Sequence, residues 1–325
     1  MNKNQNKQRK LSVVVPFYNE EASLVLLYSK LIDNIELVMK EKYISDYEIL
    51  FVNDGSTDFS EEKIIKIVKQ DNRVVLLNMR RNFGKSRALQ IAFEYAQGDI
   101  VITMDADLQD DPCEIKRFIE KIDEGYDLVS GWKVNRHDPL VKTLPSKIFN
   151  FITSKFSGIR LHDFNCGFKA YRKEVVKNIH VYGEFHRYIP ILAARNGFKI
   201  AEIAVKHHER KYGVSKFGGE RYLRGLFDAF SVLFLLKFYY RPMYFFGKIG
   251  LLLFGLGFVI CSYLSFIWFL GESIGHRPLL ILGVLFILVG LQSISFGLLA
   301  NIIIDKQDQN EAVCVKSVVG GKDDL

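Results

Sequence analysis

Cysteine pairing is the first thing this chain does without. Its four cysteines, Cys113, Cys166, Cys261 and Cys314, lie far apart with no CxxC spacing. Neither a zinc site nor a disulfide scaffold is indicated, and a reducing compartment suits them. The segment 16–20, after the first strand-like run, has none of the glycines of a dinucleotide loop, and no GxxxxGK[ST] occurs anywhere. Both absences disfavour folds built on glycine-rich phosphate loops. Low-complexity tracts are missing and 49% of residues are hydrophobic, which excludes a disordered chain. Residues 1–10 are polar and basic with no apolar core of signal-peptide length behind them, a tail rather than a signal peptide. The last absence is of charge. Charged residues make up 25% of the chain, yet 249–271 and 279–304 contain none. Stretches of that length are membrane-span signals and disfavour a purely soluble protein.

What is present begins with a basic excess, 44 Lys and Arg against 37 Asp and Glu. The excess gathers beside the uncharged stretches: 206–248 holds nine Lys or Arg and three acidic residues. A basic collar next to a span marks the cytoplasmic leaflet. Membrane, and not nucleic acid, is therefore the expected partner, with the first 240 residues in the cytoplasm. The two spans are separated by seven residues, 272–278, which forces a helical hairpin with both ends cytoplasmic. No Gly-xxx-Gly pair lies inside either span, so spacing singles out no dimer face.

Between 11 and 131 short apolar runs (11–15, 48–52, 74–78, 100–104, 127–130) alternate with segments of helical periodicity (20–42, 58–70, 84–96, 112–124). This rhythm predicts a largely parallel sheet with helices on both faces. Ligands bind such sheets beyond the carboxyl ends of the strands, and there the chain places polar residues. The first strand is followed by Pro16-Phe17-Tyr18-Asn19-Glu20 and the second by Asn53-Asp54-Gly55-Ser56. After the third comes Arg81-Asn82-Phe83-Gly84-Lys85, and after the fourth Asp105-Ala106-Asp107-Leu108-Gln109. That edge is the expected active site. Beyond it, 148–156 reads either as a helix lying near the membrane or as a packed helix of the same domain, and 217–240 as interfacial helices.

Asp105 and Asp107 form the sharpest feature. Two carboxylates two residues apart on an extended segment point the same way, so both can meet one Mg2+ or Mn2+, cations that take hard oxygen ligands. Gln109 continues that face, and Asp110-Asp111-Pro112 reads as a helix start. Asp54 can accept hydrogen bonds from a ribose or base, although a plain turn uses the same residues. Within His208-Glu209-Arg210-Lys211-Tyr212-Gly213-Val214-Ser215-Lys216, an Arg fork and an ammonium can grip phosphate oxygens.

Taken in order, 16–20, 53–58, 81–85, 105–112, 166–172 and 209–216 resemble the family 2 glycosyltransferases that load sugars onto polyprenyl phosphate. Dolichol-phosphate mannosyltransferases and bacterial undecaprenyl-phosphate glucosyl- and aminoarabinosyl-transferases are of this kind. The resemblance covers nearly the whole chain, including the terminal hairpin of the bacterial branch. It implies a GT-A fold, a mostly parallel Rossmann-like sheet, and an inverting transfer from a nucleotide sugar to undecaprenyl or another polyprenyl phosphate. It implies a Mg2+ or Mn2+ cofactor at Asp105, Asp107 and Gln109. The donor would be lined by Pro16, Asn19, Glu20, Asp54 and Lys85, and the acceptor phosphate held by Arg210, Ser215 and Lys216. UDP-glucose is the expected donor, with GDP-mannose, a UDP-N-acetylhexosamine or a modified arabinose as alternatives. His186-Arg187-Tyr188 matches a further block of the bacterial branch without a defined role. A homo-oligomer fits the resemblance, but no sequence device fixes its number.

The expected organisation is a tail at 1–10, a cytoplasmic catalytic domain at 11–216, interfacial helices at 217–248, the hairpin at 249–304 and a cytoplasmic tail at 305–325. Such a protein would be a multi-pass component of a bacterial inner or plasma membrane. Two rivals are weaker. A processive polysaccharide synthase needs a Gln-x-x-Arg-Trp block that surrounds neither Trp132 nor Trp268. A non-catalytic membrane scaffold has no need of the Asp105 and Asp107 pair.

Overall fold

The computed structural model describes residues 8–134, 154, 158–159, 161–181, 183, 185–208, 234, 238, 242–275 and 277–308, with side chains to 303. The chain divides into two compact units, 1–229 and 230–325.

In the first unit, β1 (Lys10–Phe17), α1 (Leu24–Lys40), β2 (Asp46–Asn53), α2 (Ser60–Val68), β3 (Val74–Asn78), α3 (Lys85–Tyr95) and β4 (Ile100–Thr103) follow the alternation read from the sequence. A 3-10 turn (Pro112–Glu114) and α4 (Ile115–Asp123) lead to β5 (Leu128–Lys133). Then come β6 (Lys169–Arg172), α5 (Lys173–Asn178), a second 3-10 turn (Phe185–Arg187), α6 (Ile189–Arg195) and β7 (Ile200–Val205). These strands form one seven-stranded sheet in the order β3-β2-β1-β4-β6-β5-β7.

Why these segments are strands is visible in their side chains. Leu11, Val13 and Val15 of β1, with Ile49 and Phe51 of β2, face one core; Val14, Leu50 and Val52 face the other. Strands covered on both faces need such continuous apolar runs. The first core is closed by α1, α2 and α4; Ile115, Phe118, Ile119 and Ile122 of α4 repeat at helical spacing. The second is closed by α3, α5 and α6, through Phe93, Val175 and Ile189 among others.

The sheet is mostly parallel, as the rhythm predicts, with one antiparallel strand. β6 runs antiparallel to both β4 and β5, pairing Thr103 with Lys169 and Val129 with Ala170. The remaining pairings, β1 with β2 and β4, β2 with β3, and β5 with β7, are parallel. β6 thus brings the turn that precedes it back toward the end of β4. The expected helix at 148–156 and the segment 217–240 lie outside the described residues, apart from Ser154, Phe234 and Phe238.

In the second unit, α7 (Met243–Phe269) and α8 (Pro278–Asp308) form the hairpin, and Met243–Phe269 and Pro278–Ile303 are each long and apolar enough to cross a membrane. Phe234 packs on Phe245 and Phe246 at the start of α7, with ring centroids 5.2 and 5.7 Å away. The two helices meet through glycines spaced by seven. A Cβ on Gly257 would lie 2.6 Å from the Gly283 carbonyl oxygen, and one on Gly290 2.6 Å from the Phe254 amide nitrogen. Gly250 makes the same approach to the Gly290 carbonyl at 2.7 Å. The seam therefore exists without any Gly-xxx-Gly, because a seven-residue interval returns to the same helix face after two turns.

Candidate active site

Three loops at the carboxyl edge of the sheet are stitched together by side chains that sequence reading assigned to the donor. Pro16 lies within β1, opposite Val52. Asn19 takes a left-handed backbone, φ 54°; its amide donates to Ser56 Oγ at 3.0 Å and its Oδ1 accepts from the Thr57 amide at 2.7 Å. The Glu20 amide donates to Ser60 Oγ at 2.9 Å. Asp54 reaches the other way: its carboxylate accepts the Phe83 amide at 2.7 Å and the Gly84 amide at 3.0 Å, at the start of α3. Burial raises the Asp54 pKa, while those two amides pull it down. Gly55 leaves no room for a side chain, since a Cβ there would lie 2.4 Å from the Arg81 carbonyl carbon. Asn19 and Asp54 thus fix the loops. Asp54 Oδ1 accepts both amides, whereas Oδ2 accepts the Gly84 amide alone and keeps a lone pair for a ligand.

The loop after β4 is a turn and not the extended segment anticipated for Asp105 and Asp107. Ala106 and Asp107 form the turn, and Leu108 sits at φ 61°, an uncommon conformation for a residue with a Cβ. The Gln109 amide donates to Asp107 Oδ1 at 3.2 Å. Turn geometry, not strand alternation, therefore presents these carboxylates. Asp105 forms an ion pair with Lys85 at the start of α3. It is also crowded by Gly167, where a Cβ would stand 2.6 Å from Asp105 Oδ2. Thr103 Oγ1 donates to the Gly167 carbonyl at 2.8 Å and holds that turn in place. The 166–172 block is therefore part of this edge, brought there by the antiparallel run of β6. The sequence offered that block only through the resemblance, with no role attached.

A buried charged network underlies the turn. Asp110, fully buried, forms an ion pair with Lys133 Nζ at 3.1 Å and a backbone bridge with His207. Burial opposes the charge on Asp110, yet Lys133 and His207 hold its carboxyl far below the usual range. Next to it the His208 amide donates to the Gln109 carbonyl at 2.8 Å, and Gln109 Nε2 to the His208 carbonyl at 3.3 Å. The Gln109 side-chain nitrogen is thus turned to the 207–208 segment. Asp111 accepts the Cys113 amide at 3.1 Å, and Pro112 opens the following turn, as the helix-start signal implied.

Lys169 is buried beside Asp105, donates to the Cys166 carbonyl, and has its pKa lowered by burial. Burial pushes the neighbouring Cys166 thiol up to about 12, so it is no nucleophile. His186 Nδ1 lies 2.9 Å from Ser86 Oγ, docking the 186–188 block on α3. Arg210, Ser215 and Lys216 lie outside the described residues.

Among the described residues no three His, Cys, Asp or Glu side chains cluster as a closed metal cage. The half-buried carboxylates of Asp105 and Asp107, with the Gln109 carboxamide on the same loop, are nonetheless the donor chemistry that suits Mg2+ or Mn2+. Mg2+ keeps several waters and takes phosphate oxygens for the rest. The residues fit the group.

Residues 12–180 match the family described as Glycosyl transferase family 2. The dodecaprenyl-phosphate galacturonate synthase of Rhizobium johnstonii is 38% identical over 299 residues, spanning 90% of this chain and 87% of the relative. The undecaprenyl-phosphate 4-deoxy-4-formamido-L-arabinose transferase of Photorhabdus laumondii is 33% identical, spanning 91% and 89%. Among solved structures, glucosyl-3-phosphoglycerate synthase from Mycobacterium tuberculosis with Mg2+ and UDP superposes with a TM-score of 0.52 at 19% identity. That match covers 69% of this chain and 79% of the other. At such identity the likeness is one of fold, and the fold is GT-A-like.

Proposed function

The chain belongs to glycosyl transferase family 2, among its polyprenyl-phosphate glycosyltransferases, and on that premise we propose that it moves a sugar from a nucleotide-sugar donor to a polyprenyl phosphate at the membrane surface. One observation carries the reading: Asp105 and Asp107 stand on the turn beyond β4, with Lys85 on Asp105, at the sheet edge where the Asn19, Asp54 and Phe83 loops meet.

In this reading an acceptor phosphate oxygen bonds to the anomeric carbon as the bond from that carbon to the nucleoside diphosphate breaks, with inversion. A phosphate monoester has a second pKa near ~6, so at neutral pH the acceptor is mostly a dianion and needs no strong general base. The site accordingly has to stabilise the departing diphosphate. Asp105 and Asp107, with Gln109 Oε1, would hold Mg2+ or Mn2+, which when bound neutralises charge developing on the diphosphate. Lys85 adds a cation at the same place. Pro16, Asn19, Glu20 and Asp54 shape the donor pocket. Arg210, Ser215 and Lys216 are proposed, from the sequence, to grip the acceptor phosphate.

UDP-glucose is the donor expected from the sequence pattern, while the relatives' names specify galacturonate and 4-deoxy-4-formamido-L-arabinose. Incubating purified protein with undecaprenyl phosphate and each nucleotide sugar in turn, then weighing the lipid product by mass spectrometry, decides the donor. No glycolipid from any donor would return the protein to the scaffold reading.

We further propose a multi-pass protein of a bacterial inner membrane, with the catalytic unit and both termini cytoplasmic. The basic collar and the two apolar helices support this. A cysteine-free version carrying Ser273→Cys should be labelled only from outside; labelling from the cytoplasmic side alone overturns the orientation.

A further inference from the structure

A buried carboxylate and an imidazole lie behind the turn that carries Asp105 and Asp107, and the proposed chemistry uses neither. Asp110 Oδ1 and His207 Nδ1 are both buried without a hydrogen bond among the described residues, and they stand 3.9 Å apart. The other Asp110 oxygen, Oδ2, accepts the Asp105 amide at 3.4 Å, so Asp110 closes the end of the turn onto its beginning. Lys133 Nζ, 3.1 Å from Oδ1, balances the buried charge. Sheet register brings these groups together. Lys133 pairs with Val205 in the parallel β5–β7 ladder, and His207 follows Val205 by two residues, its side chain only 9% exposed.

The Gln109 carboxamide fixes which nitrogen of the imidazole carries the proton. The His208 carbonyl can only accept, so the Gln109 atom 3.3 Å from it is the nitrogen. That nitrogen only donates, and His207 Nε2 lies 3.4 Å from it. His207 Nε2 therefore accepts, and the ring proton sits on Nδ1, with the Asp110 carboxylate as its neighbour. The amide nitrogen thus has two anchors, both on the 207–208 segment. Mg2+ and Mn2+ take the oxygen of an amide and not its nitrogen. Because the carboxamide is planar, anchoring the nitrogen also fixes the oxygen. With the His208 carbonyl alone the group would turn more freely, since the last torsion of a glutamine has no sharp preference of its own.

Resting on the reading that Asp105, Asp107 and Gln109 hold a divalent cation for sugar transfer, we propose that His207 is a positioning residue for that reaction. Backed by Asp110, it fixes the Gln109 carboxamide so that the oxygen is held for the cation. Asp110 serves both ends of the turn at once, through the Asp105 amide at one end and through His207 and Gln109 at the other.

The test titrates the full chain in detergent with Mn2+ alone and follows binding by loss of the free-ion electron paramagnetic resonance signal. Asp107→Asn reports how much of that binding belongs to the turn. His207→Asn keeps an N–H toward Asp110 and offers nothing to Gln109. It should raise the Mn2+ dissociation constant roughly 10- to 100-fold, the range for removing a group that orients a metal ligand. His207→Gln can place an amide oxygen where Nε2 stood and should recover most of the affinity. Both replacements are neutral, polar and smaller than the ring, so neither crowds the site, and circular dichroism should be unchanged. In a Gln109→Ala background His207→Asn should have no further effect, because the side chain through which it acts is gone. A role confined to stability would lower the melting temperature of both His207 variants and leave Mn2+ affinity where it was. Equal Mn2+ affinity of His207→Asn and wild type overturns the positioning role, as do losses from His207→Asn and Gln109→Ala that simply add. Glycolipid formation by the wild type in excess chelator, with Mn2+ uptake no greater than that of Asp107→Asn, overturns the metal reading and the positioning with it. Uptake lost in Asp107→Asn yet intact in His207→Asn overturns the positioning alone.

Discussion

In the unit that carries Asp105, segments distant in sequence are joined by side chains: Asn19 to Thr57, Asp54 to Phe83 and Gly84, Asp110 to Lys133. In the hairpin, α7 and α8 meet through bare backbone at Gly250, Gly257, Gly283 and Gly290. Both regions use glycine where an added Cβ would stand about 2.6 Å from a neighbour, yet for different ends. At Gly167 the close neighbour is the carboxylate of Asp105, while at Gly290 it is the amide nitrogen of Phe254. A loop edge can hold charge because hydrogen bonds fix it and water is near. A span has only packing, and it gains contact by removing side chains. The same substitution should therefore damage chemistry in one region and packing in the other.

The largest effect should come from the charge itself. Asp107→Asn keeps a carbonyl able to accept the Gln109 amide, so the fold survives and circular dichroism should be unchanged. Turnover should fall about 10²- to 10³-fold, the scale for losing one preorganised electrostatic contact, and a chelator should silence the wild type. Full activity in excess chelator would remove the metal from the account.

Next comes the acceptor side. Lys216→Ala and Arg210→Ala should each lower acceptor kcat/KM roughly 10- to 150-fold in detergent, the equivalent of a charge-assisted bond of ~1.5–3 kcal/mol. Arg224→Ala, in the basic collar, should change it little. Donor binding measured without acceptor separates two roles: if it falls as far as turnover, these residues serve the donor diphosphate.

The direct contrast is between two glycines. Gly167→Ala places a methyl against Asp105 and should cost up to about 10²-fold in kcat, as displacements of about 1 Å can, with metal half-saturation raised. Gly290→Ala should leave kcat with a soluble acceptor analogue unchanged and destabilise the hairpin by ~1–3 kcal/mol, an overpacking cost. This is the smallest effect on catalysis, and protease resistance of the hairpin in vesicles is its measure. A loss of kcat at Gly290 equal to that at Gly167 would erase the distinction between the regions.

Most of what precedes 131 was legible because each strand and helix there writes its own local period. The runs at 11–15, 48–52, 74–78, 100–104 and 127–130 all became strands, and the spans became α7 and α8. Their polar ends marked out the candidate site edge. Long-range register was not legible. No local pattern says that Lys169 pairs beside Thr103 in an antiparallel strand, or that this places Gly167 on Asp105. Lys169 and Asp110 are polar residues at inward positions, and their partners are close only after folding.

The sequence by itself determined the alternating architecture, the carboxylate pair and the two uncharged spans, because hydrophobic periodicity and formal charge are properties of neighbouring residues. Only the tertiary structure decided how those carboxylates are presented. It made the Asp105–Gln109 segment a turn with Leu108 in the left-handed region, turned the Gln109 amide nitrogen to His208, and gave Asp54 to the Phe83 and Gly84 amides. It also chose the glycine face by which α8 meets α7. The physical reason is common to all of these. Each is a contact between residues far apart in the chain, and which such contact forms depends on the packing of every element between them.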